Sequence, residues 1–284
     1  MERSFEQLVH RKENALQHLT FHDGDLPYFS NPSFDALGIL NAFTTKYGGV
    51  SEGCYAELSM RVNQESPEII QENYKRVAKT LGFDAERAVV SIQTHTTNIR
   101  TVTEEDCGKG PFRARDYEDV DGLITDIPGI PLVTQYADCV PLYFYDPVNH
   151  AIGLSHSGWK GTVHRMGACT VRRMHEEFGT KAVDLIIAIG PSICQDCYEV
   201  SSDVADAFKT EFGAYRFSQM AYEKENGRFQ LDLWKANETV LLEEGVLKEH
   251  ISVTDICTKC CSDLLYSHRV MGNQRGVMAA ILSL

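Results

Sequence analysis

The sequence has no long apolar run and no surplus of positive charge, and each absence excludes a class of protein. Its longest apolar stretches, 140–145 and 185–189, fall far short of the roughly 18 residues that a membrane helix needs. Lysine and arginine number 27 against 40 aspartate and glutamate, so the net charge at pH 7 is −13. Nucleic-acid binding requires cations that neutralise phosphates, so we expect no nucleic-acid partner. Because the apolar runs are short, we also expect no membrane partner. A local basic pocket for one small anion remains compatible with this balance.

Two further signals are missing. The charged N-terminus lacks the apolar segment of a secretory signal, and no G-x-G-x-x-G motif follows a predicted strand. We therefore expect a cytoplasmic protein without a dinucleotide-binding fold, in which the nine cysteines are reduced. The remaining composition, with 43% hydrophobic residues in 284 positions, is ordinary for a chain that buries a core.

Strand-like and helix-like segments alternate in an irregular order, which predicts a mixed α/β fold rather than a (β/α)₈ barrel. We expect one domain over residues 1–284, in which residues 1–36 form a peripheral N-terminal segment. The run 183–189 is nearly all apolar, as in a strand covered on both faces. Strands are predicted at 41–45, 88–93, 122–125, 130–136, 140–145, 150–155, 183–189 and 275–284, and helices at 66–81, 162–178, 202–212 and 233–244.

Three potential metal ligands lie at the ends of three apolar runs. They are His95 in Gln-Thr-His, Cys139 in Ala-Asp-Cys and His156 in His-Ser-Gly-Trp-Lys-Gly. Two imidazoles and a thiolate suit zinc and leave a fourth position open for water. The alternative is a buried thiol and two histidines that bind backbone carbonyls, and sequence spacing does not decide between the two.

Two C-x-x-C pairs form a second pattern, Cys194 with Cys197 and Cys257 with Cys260. Four thiolates are the ligand set of a structural zinc site. About 60 residues separate the pairs, however, against about 15–20 in a compact zinc ribbon, which favours a packing role in the core.

Other polar residues near the potential ligands have two interpretations each. Asp121 and Asp138 are candidates for a general base or for a carboxylate that orients a histidine. If its stretch is extended, Asp138 points away from the face of Cys139. Lys160, in a glycine-flanked turn, is either an anion-binding residue or a solvated surface lysine.

An ordered set of short motifs resembles the YfiH/YlmD family, which bears the label of a laccase-like multicopper polyphenol oxidoreductase and is now read as purine nucleoside phosphorylases. The similarity runs from about residue 39 to the C-terminus and is strongest to the bacterial YlmD branch. The motifs are FTTKYGGVSEG at 43–53, QTH at 93–95, DGLIT at 121–125, ADCVP at 137–141, HSGWKG at 156–161, GPSI at 190–193, CYEV at 197–200 and LDLW at 231–234.

The resemblance implies a layered α/β domain related to the catalytic domain of cytotoxic necrotizing factor toxins. It implies that His95, Cys139 and His156 are catalytic and hold zinc, with copper as the alternative metal. The implied reactions use phosphate to cleave adenosine, inosine, guanosine and methylthioadenosine, together with hydrolytic deamination of adenosine.

The sequence departs from the family at its expected substrate contacts. Lys160 stands where the family often has arginine, and a point charge replaces a bidentate contact there. The stretch 58–65 lacks the family's histidine, which leaves Arg61 and Asn63 as the expected substrate-binding residues. The C-terminal T-G-R motif is altered around Arg275, so that residue is not carried over.

Three rival functions remain open. A cysteine hydrolase would use Cys139 as nucleophile and His156 as base. A copper-dependent polyphenol oxidase would need more histidine pairs than the 10 histidines supply. A non-enzymatic protein would bind zinc and turn over no nucleoside.

Overall fold

The strands and helices are described for residues 19–284 of this computed structural model. The strands are β1 (Thr20–His22), β2 (Tyr28–Ser30), β3 (Leu40–Thr44), β4 (Val89–Val90), β5 (Ile99–Thr101), β6 (Gly122–Thr125), β7 (Leu132–Tyr136), β8 (Val140–Asp146), β9 (Ala151–Ser157), β10 (Ile186–Ile189), β11 (Glu199–Val200), β12 (Ala221–Glu223), β13 (Phe229–Leu231), β14 (Ile251–Val253) and β15 (Met278–Ser283). The helices are α1 (Pro32–Asp35), α2 (Pro67–Leu81), α3 (Trp159–Val163), α4 (Met166–Phe178), α5 (Ser202–Met220), α6 (Leu233–Glu243) and α7 (His268–Met271).

These strands form two six-stranded sheets and one three-stranded sheet. Sheet A has the order β1-β2-β3-β15-β7-β4, sheet B the order β14-β10-β8-β9-β6-β5, and the small sheet the order β11-β13-β12. Both large sheets are mixed, because β4 runs parallel to β7 in sheet A, and β14 and β5 run parallel to their neighbours in sheet B. The predicted mixed α/β class is confirmed.

The two large sheets stack face to face between helices, which makes four layers. Alternate residues of β8 pack on opposite faces of sheet B. Leu142 and Phe144 face helices α4, α5 and α6, whereas Tyr143 faces sheet A. On the outer face of sheet A, Val133 packs with Tyr74 of α2. Strands covered on both faces must be apolar throughout, which explains the unbroken apolar runs of the sequence.

The prediction of one continuous helix at 162–178 is wrong. This segment consists of α3 and α4, separated at Arg165, which adopts a left-handed φ of 60°. The helix predicted at 202–212 extends to Met220 across a non-helical Gly213 with φ 74°. By contrast, Ser66 caps α2 as expected, and the left-handed Gly82 ends that helix.

The expected peripheral segment, 1–36, is described only from residue 19 onward. Its described part supplies β1 and β2 at the edge of sheet A, together with the short helix α1. Phe29 and Phe34 are buried in the core between the two large sheets. Among the described residues, no helix has both the length and the apolar character to cross a bilayer.

A buried carboxylate fixes the segment that follows β14. Asp138, which has a φ of 88°, accepts hydrogen bonds from the Thr258 hydroxyl at 2.6 Å, the Ser267 hydroxyl at 3.1 Å and the Arg269 amide at 2.7 Å. Asp138 therefore points toward the C-terminal segment.

We expect the substitution Asp138→Ala to lower the free energy of unfolding by about 2–4 kcal/mol, because three donors lose a buried charged acceptor. Denaturant titration monitored by fluorescence measures the change. Asp126→Ala, at an exposed carboxylate, is the control and should shift the stability by less than about 0.5 kcal/mol. A D138A protein as stable as the wild type would show that the carboxylate does not anchor this segment.

Candidate metal centre

His95, Cys139 and His156 meet at one edge of sheet B. Cys139 directly precedes β8 and His156 lies near the end of β9, and the antiparallel register that pairs Pro141 with His156 puts them side by side. His95 lies on the loop between β4 and β5. One ligand atom from each residue lies within 4.8 Å of the others, and Cys139 Sγ is 3.9 Å from His95 Nε2.

The loop that presents His95 is held by the carboxylate of Asp121, which is fully buried. Its oxygens accept the backbone N–H groups of Thr94 at 3.0 Å, His95 at 3.1 Å and Thr96 at 3.0 Å. His95 adopts a left-handed φ of 67°, a conformation that a residue of this type keeps only where its surroundings require it. The three amide contacts to Asp121 supply that constraint.

The same carboxylate orients His156. Its Oδ1 lies 2.8 Å from His156 Nδ1, so Nε2 is the nitrogen left for the cluster. A carboxylate on the far nitrogen of a histidine is the usual partner of a metal-binding imidazole, because it fixes the ring and makes the other nitrogen more basic. Burial raises the pKa of Asp121, but the hydrogen bond from His156 and its charge outweigh burial, and the pKa lies below its usual value.

Cys139 and His156 form a charged pair when no metal is bound. Burial raises the pKa of Cys139, but the positive charge of His156 and hydrogen bonds from both histidines lower it to about 6. Burial lowers the pKa of His156, whereas the Cys139 thiolate and Asp121 raise it to about 9. Near neutral pH the cluster therefore contains a thiolate, which is the form that binds a metal ion.

Gly158 provides the space for this cluster. A β-carbon at this position would lie 2.9 Å from His95 Cδ2, closer than such atoms approach one another, and 3.0 Å from Cys139 Sγ, which is tighter than ordinary contact. Exposure also changes across the cluster, since His156 is buried, Cys139 half-buried and His95 exposed. A metal ion held by the three would thus have one side open to solvent, where substrate or water can reach it.

The expected substrate-binding residues are at the surface. Lys160 is exposed at the start of α3, with Nζ 5.7 Å from the centre of the Trp159 ring. Arg61 and Asn63 are also exposed. Asn63 lines a cavity of about 550 Å³ that borders Ile92, at the start of the segment leading to His95. That volume lies within the range of small-molecule sites.

Arg275 is a functional candidate that the sequence pattern did not identify. Burial lowers the pKa of its guanidinium, the charge of Arg61 lowers it further, and Asp138 and Cys139 raise it. Arg275 therefore lies within electrostatic range of both Arg61 and Cys139. Its Nη1 donates to the Gly272 carbonyl at 3.1 Å, while its buried Nε has no hydrogen-bond partner among residues 19–284. The sequence signals for Arg275 were the altered C-terminal T-G-R motif, from which the residue was not carried over, and its position beside an apolar C-terminal run.

The two C-x-x-C pairs also converge. One sulfur atom from each of Cys194, Cys197, Cys257 and Cys260 lies within 4.8 Å of the others, so their separation in sequence does not keep the pairs apart.

Comparison with known proteins finds similarity over most of the chain. The family model described as multi-copper polyphenol oxidoreductase laccase matches residues 40–284. The Bacillus subtilis protein named purine nucleoside phosphorylase YlmD is 34% identical over 252 residues, covering 87% of this chain and 88% of the relative. The protein of the same name from Geobacillus stearothermophilus is 36% identical over 252 residues, covering 86% and 90%. The solved structure of the Bacillus licheniformis hypothetical protein YfiH superposes with a TM-score of 0.87 at 32% identity, covering 93% and 98% of the two chains.

We expect Asp121→Asn to weaken zinc binding at this cluster about 10- to 100-fold, because an amide no longer holds the His156 ring with a full negative charge. Competition with a chromogenic chelator measures the affinity, and a His95→Ala protein shows the signal without this site. Asp119→Asn, at an exposed carboxylate two positions away, should bind zinc as the wild type does. Unchanged zinc affinity in D121N would contradict the orienting role of Asp121.

We expect the metal-free protein to show an unusual pH dependence of Cys139 alkylation. Since the pKa of Cys139 is about 6, the thiolate is already formed at neutral pH, and the rate should change less than twofold between about pH 7 and pH 9 and fall only below about pH 6. In urea-unfolded protein the same thiol, with the ordinary cysteine pKa of about 8.5, should react about 25-fold faster at pH 9 than at pH 7. Peptide mass spectrometry after timed iodoacetamide treatment measures both rates. A steep rise in the folded, metal-free protein would contradict the thiolate–imidazolium pair.

Proposed function

This chain belongs to the multi-copper polyphenol oxidoreductase laccase family, and from that membership and its His–Cys–His cluster we propose that it is a zinc-dependent purine nucleoside phosphorylase. Relatives at 34% and 36% identity bear the name purine nucleoside phosphorylase, which supports the reaction. The observation that supports a metal most directly is the convergence of His95, Cys139 and His156, with Asp121 on the far nitrogen of His156.

The donor set fits zinc. Tetrahedral zinc with bonds of 2.0–2.3 Å needs ligand atoms about 3.3–3.8 Å apart, and the distance of 3.9 Å from Cys139 Sγ to His95 Nε2 is close to that requirement. Two imidazoles and one thiolate also occur in blue-copper centres, which add a weak axial methionine. Laccase-type copper chemistry needs further histidine ligands, whereas the one histidine-containing cluster found in residues 19–284 has only His95 and His156. These features favour zinc over copper.

In the proposed phosphorolysis, a phosphate oxygen bonds to the anomeric carbon of the ribose while the bond from that carbon to the purine nitrogen breaks. The proton of hydrogenphosphate passes to the purine nitrogen as it leaves. The products are the free base and ribose 1-phosphate, or methylthioribose 1-phosphate from methylthioadenosine. Lys160, Arg61 and Arg275 are the cations that we propose to hold the phosphate, and Asn63 contacts the nucleoside from the cavity wall. Preorganised cations lower the barrier because they stabilise charge as it develops on the reacting groups. Arg61 and Arg275, which lie within electrostatic range of each other, offset the negative charge of the whole protein locally.

When bound, zinc would supply Lewis-acid polarisation and activation of water at the open side of the cluster. The chain's own residues provide the arrangement: Asp121 fixes the His156 ring, and Gly158 leaves the space in which the ligand atoms meet. Three protein ligands with one open position is the arrangement of hydrolytic zinc sites. We therefore include hydrolytic deamination of adenosine to inosine in the proposal, with adenosine, inosine, guanosine and methylthioadenosine as the substrates of phosphorolysis.

A cysteine hydrolase is the second candidate, because Cys139, His156 and Asp121 also lie in the order of a nucleophile, a base and the carboxylate that orients it. Kinship with the cytotoxic necrotizing factor domain, which the sequence resemblance implies, belongs to this alternative. The two candidates differ in their need for metal, since a chelator would leave the hydrolase active while alkylation of Cys139 would inactivate it.

We expect His95→Ala and His156→Ala to lose the zinc ion of the His–Cys–His cluster. Activity on adenosine, with and without phosphate, should fall by at least about 100-fold, because a lost ligand costs more than the loss of a residue that only orients a ligand. Chromatography of adenosine, adenine and inosine measures both reactions, and mass spectrometry measures the metal. His164→Ala, at an exposed histidine beyond α3, is the matched control and should keep metal and activity.

The alternatives give different results in the same assay. Zinc without turnover of any of the four nucleosides would contradict the proposed substrate class. Activity that survives chelation but not alkylation of Cys139 would favour the cysteine hydrolase.

A further inference from the structure

A second cluster of metal-binding residues lies apart from the His–Cys–His centre. It consists of Cys194, Cys197, Cys257 and Cys260, whose sulfur atoms all lie within 4.8 Å of one another. Cys194 and Cys257 are buried and belong to the core between sheet B and the helices, and Cys197 and Cys260 are half-buried against it. None of the four takes part in the proposed nucleoside chemistry.

The parallel pairing of β10 and β14 explains why the two pairs meet. Ile189 of β10 lies opposite Val253 of β14, and the pairing continues to a bridge between Ser192 and Cys257. Each C-x-x-C pair therefore follows the carboxyl end of one of two adjacent parallel strands. Parallel neighbours need a long crossover connection, and the residues that separate the pairs in sequence form it.

Both cysteine pairs lie in tight turns that direct their sulfur atoms to one place. The Cys197 amide donates to the Cys194 carbonyl at 3.1 Å, and the Cys261 amide donates to the Cys257 carbonyl at 3.0 Å. The Cys194 amide also donates to Cys257 Sγ at 3.3 Å, which links the two turns and stabilises negative charge on that sulfur. Backbone amides that donate to a thiolate sulfur orient it and stabilise its charge when it binds a metal ion.

The distances agree with a shared ion better than with a disulfide. Cys197 Sγ and Cys260 Sγ are 3.4 Å apart, whereas a disulfide needs about 2.05 Å. Sulfur ligands of tetrahedral zinc, with bonds of about 2.3 Å, lie about 3.8 Å apart. Packing in the core explains a buried thiol but gives no reason for four sulfur atoms to converge.

We propose that Cys194, Cys197, Cys257 and Cys260 bind one structural zinc ion, in addition to the ion at His95, Cys139 and His156. Four protein ligands close the coordination shell, so this ion does not reach substrate and serves to join two chain segments. It holds the loop after β10 to the segment after β14.

The test is the zinc content of the full-length protein and of three double variants, purified in reductant. We expect two zinc ions per chain in the wild type and one in Cys197→Ser/Cys260→Ser. Cys107→Ser/Cys169→Ser, which changes two other half-buried cysteines, is the matched control and should retain two. His95→Ala/His156→Ala should retain one, held by the four cysteines.

Cobalt loading of the His95→Ala/His156→Ala protein gives an answer even if the serine variant does not fold. We expect one cobalt ion per chain with the strong charge-transfer absorption of several thiolates and the visible bands of tetrahedral coordination. A protein that binds no metal after loss of both histidines would overturn the proposal. So would a Cys197–Cys260 disulfide found by peptide mapping of the reductant-purified wild type.

Discussion

The candidate centre depends on the buried carboxylate of Asp121. A fully buried charge costs several kcal/mol unless hydrogen bonds replace its hydration, and here the replacement comes from the amides of residues 94–96, the Thr96 hydroxyl at 3.0 Å and the ring of His156. One side chain thereby fixes the loop that presents one imidazole and the tautomer of the other. The protein fold sets the positions of the ligand side chains, so these side chains need to move little when a metal ion binds.

The sequence predicted the long elements well and the short ones poorly, for a physical reason. Strands such as β8 and β9 are covered on both faces by the four-layer arrangement, so their apolar runs are visible without any tertiary information. The strands of two or three residues, including β5, β11 and β14, are too short to show a period. The break between α3 and α4 was not predicted because the residue that takes the left-handed conformation is an arginine, Arg165, rather than a glycine. The charged contacts of Arg165 with Glu211 and Glu243 also involve residues far along the chain.

The candidate site, too, was predicted from the sequence only in part. Residue type and position at strand ends were enough to select His95, Cys139 and His156, and the structure brings their ligand atoms together, while their roles stay predictions. Asp121 was one of two carboxylates proposed as orienting partners, and only the fold distinguishes it from Asp138, which points to the other side. The convergence of the C-x-x-C pairs could not be predicted, because it follows from the parallel register of β10 and β14, which no local pattern encodes.

Asp138 connects the two cysteine-containing clusters. Its carbonyl accepts the amide of Ile193, next to Cys194, at 3.1 Å, and its carboxylate accepts the hydroxyl of Thr258, next to Cys257, at 2.6 Å. Asp138 adopts a left-handed φ of 88° directly before Cys139, a conformation that these contacts maintain. The backbone that positions the Cys139 sulfur is therefore hydrogen-bonded to both segments that carry the four cysteines. A zinc ion bound by those cysteines would stabilise the position of Cys139 indirectly, because it would hold together the two segments to which Asp138 is hydrogen-bonded.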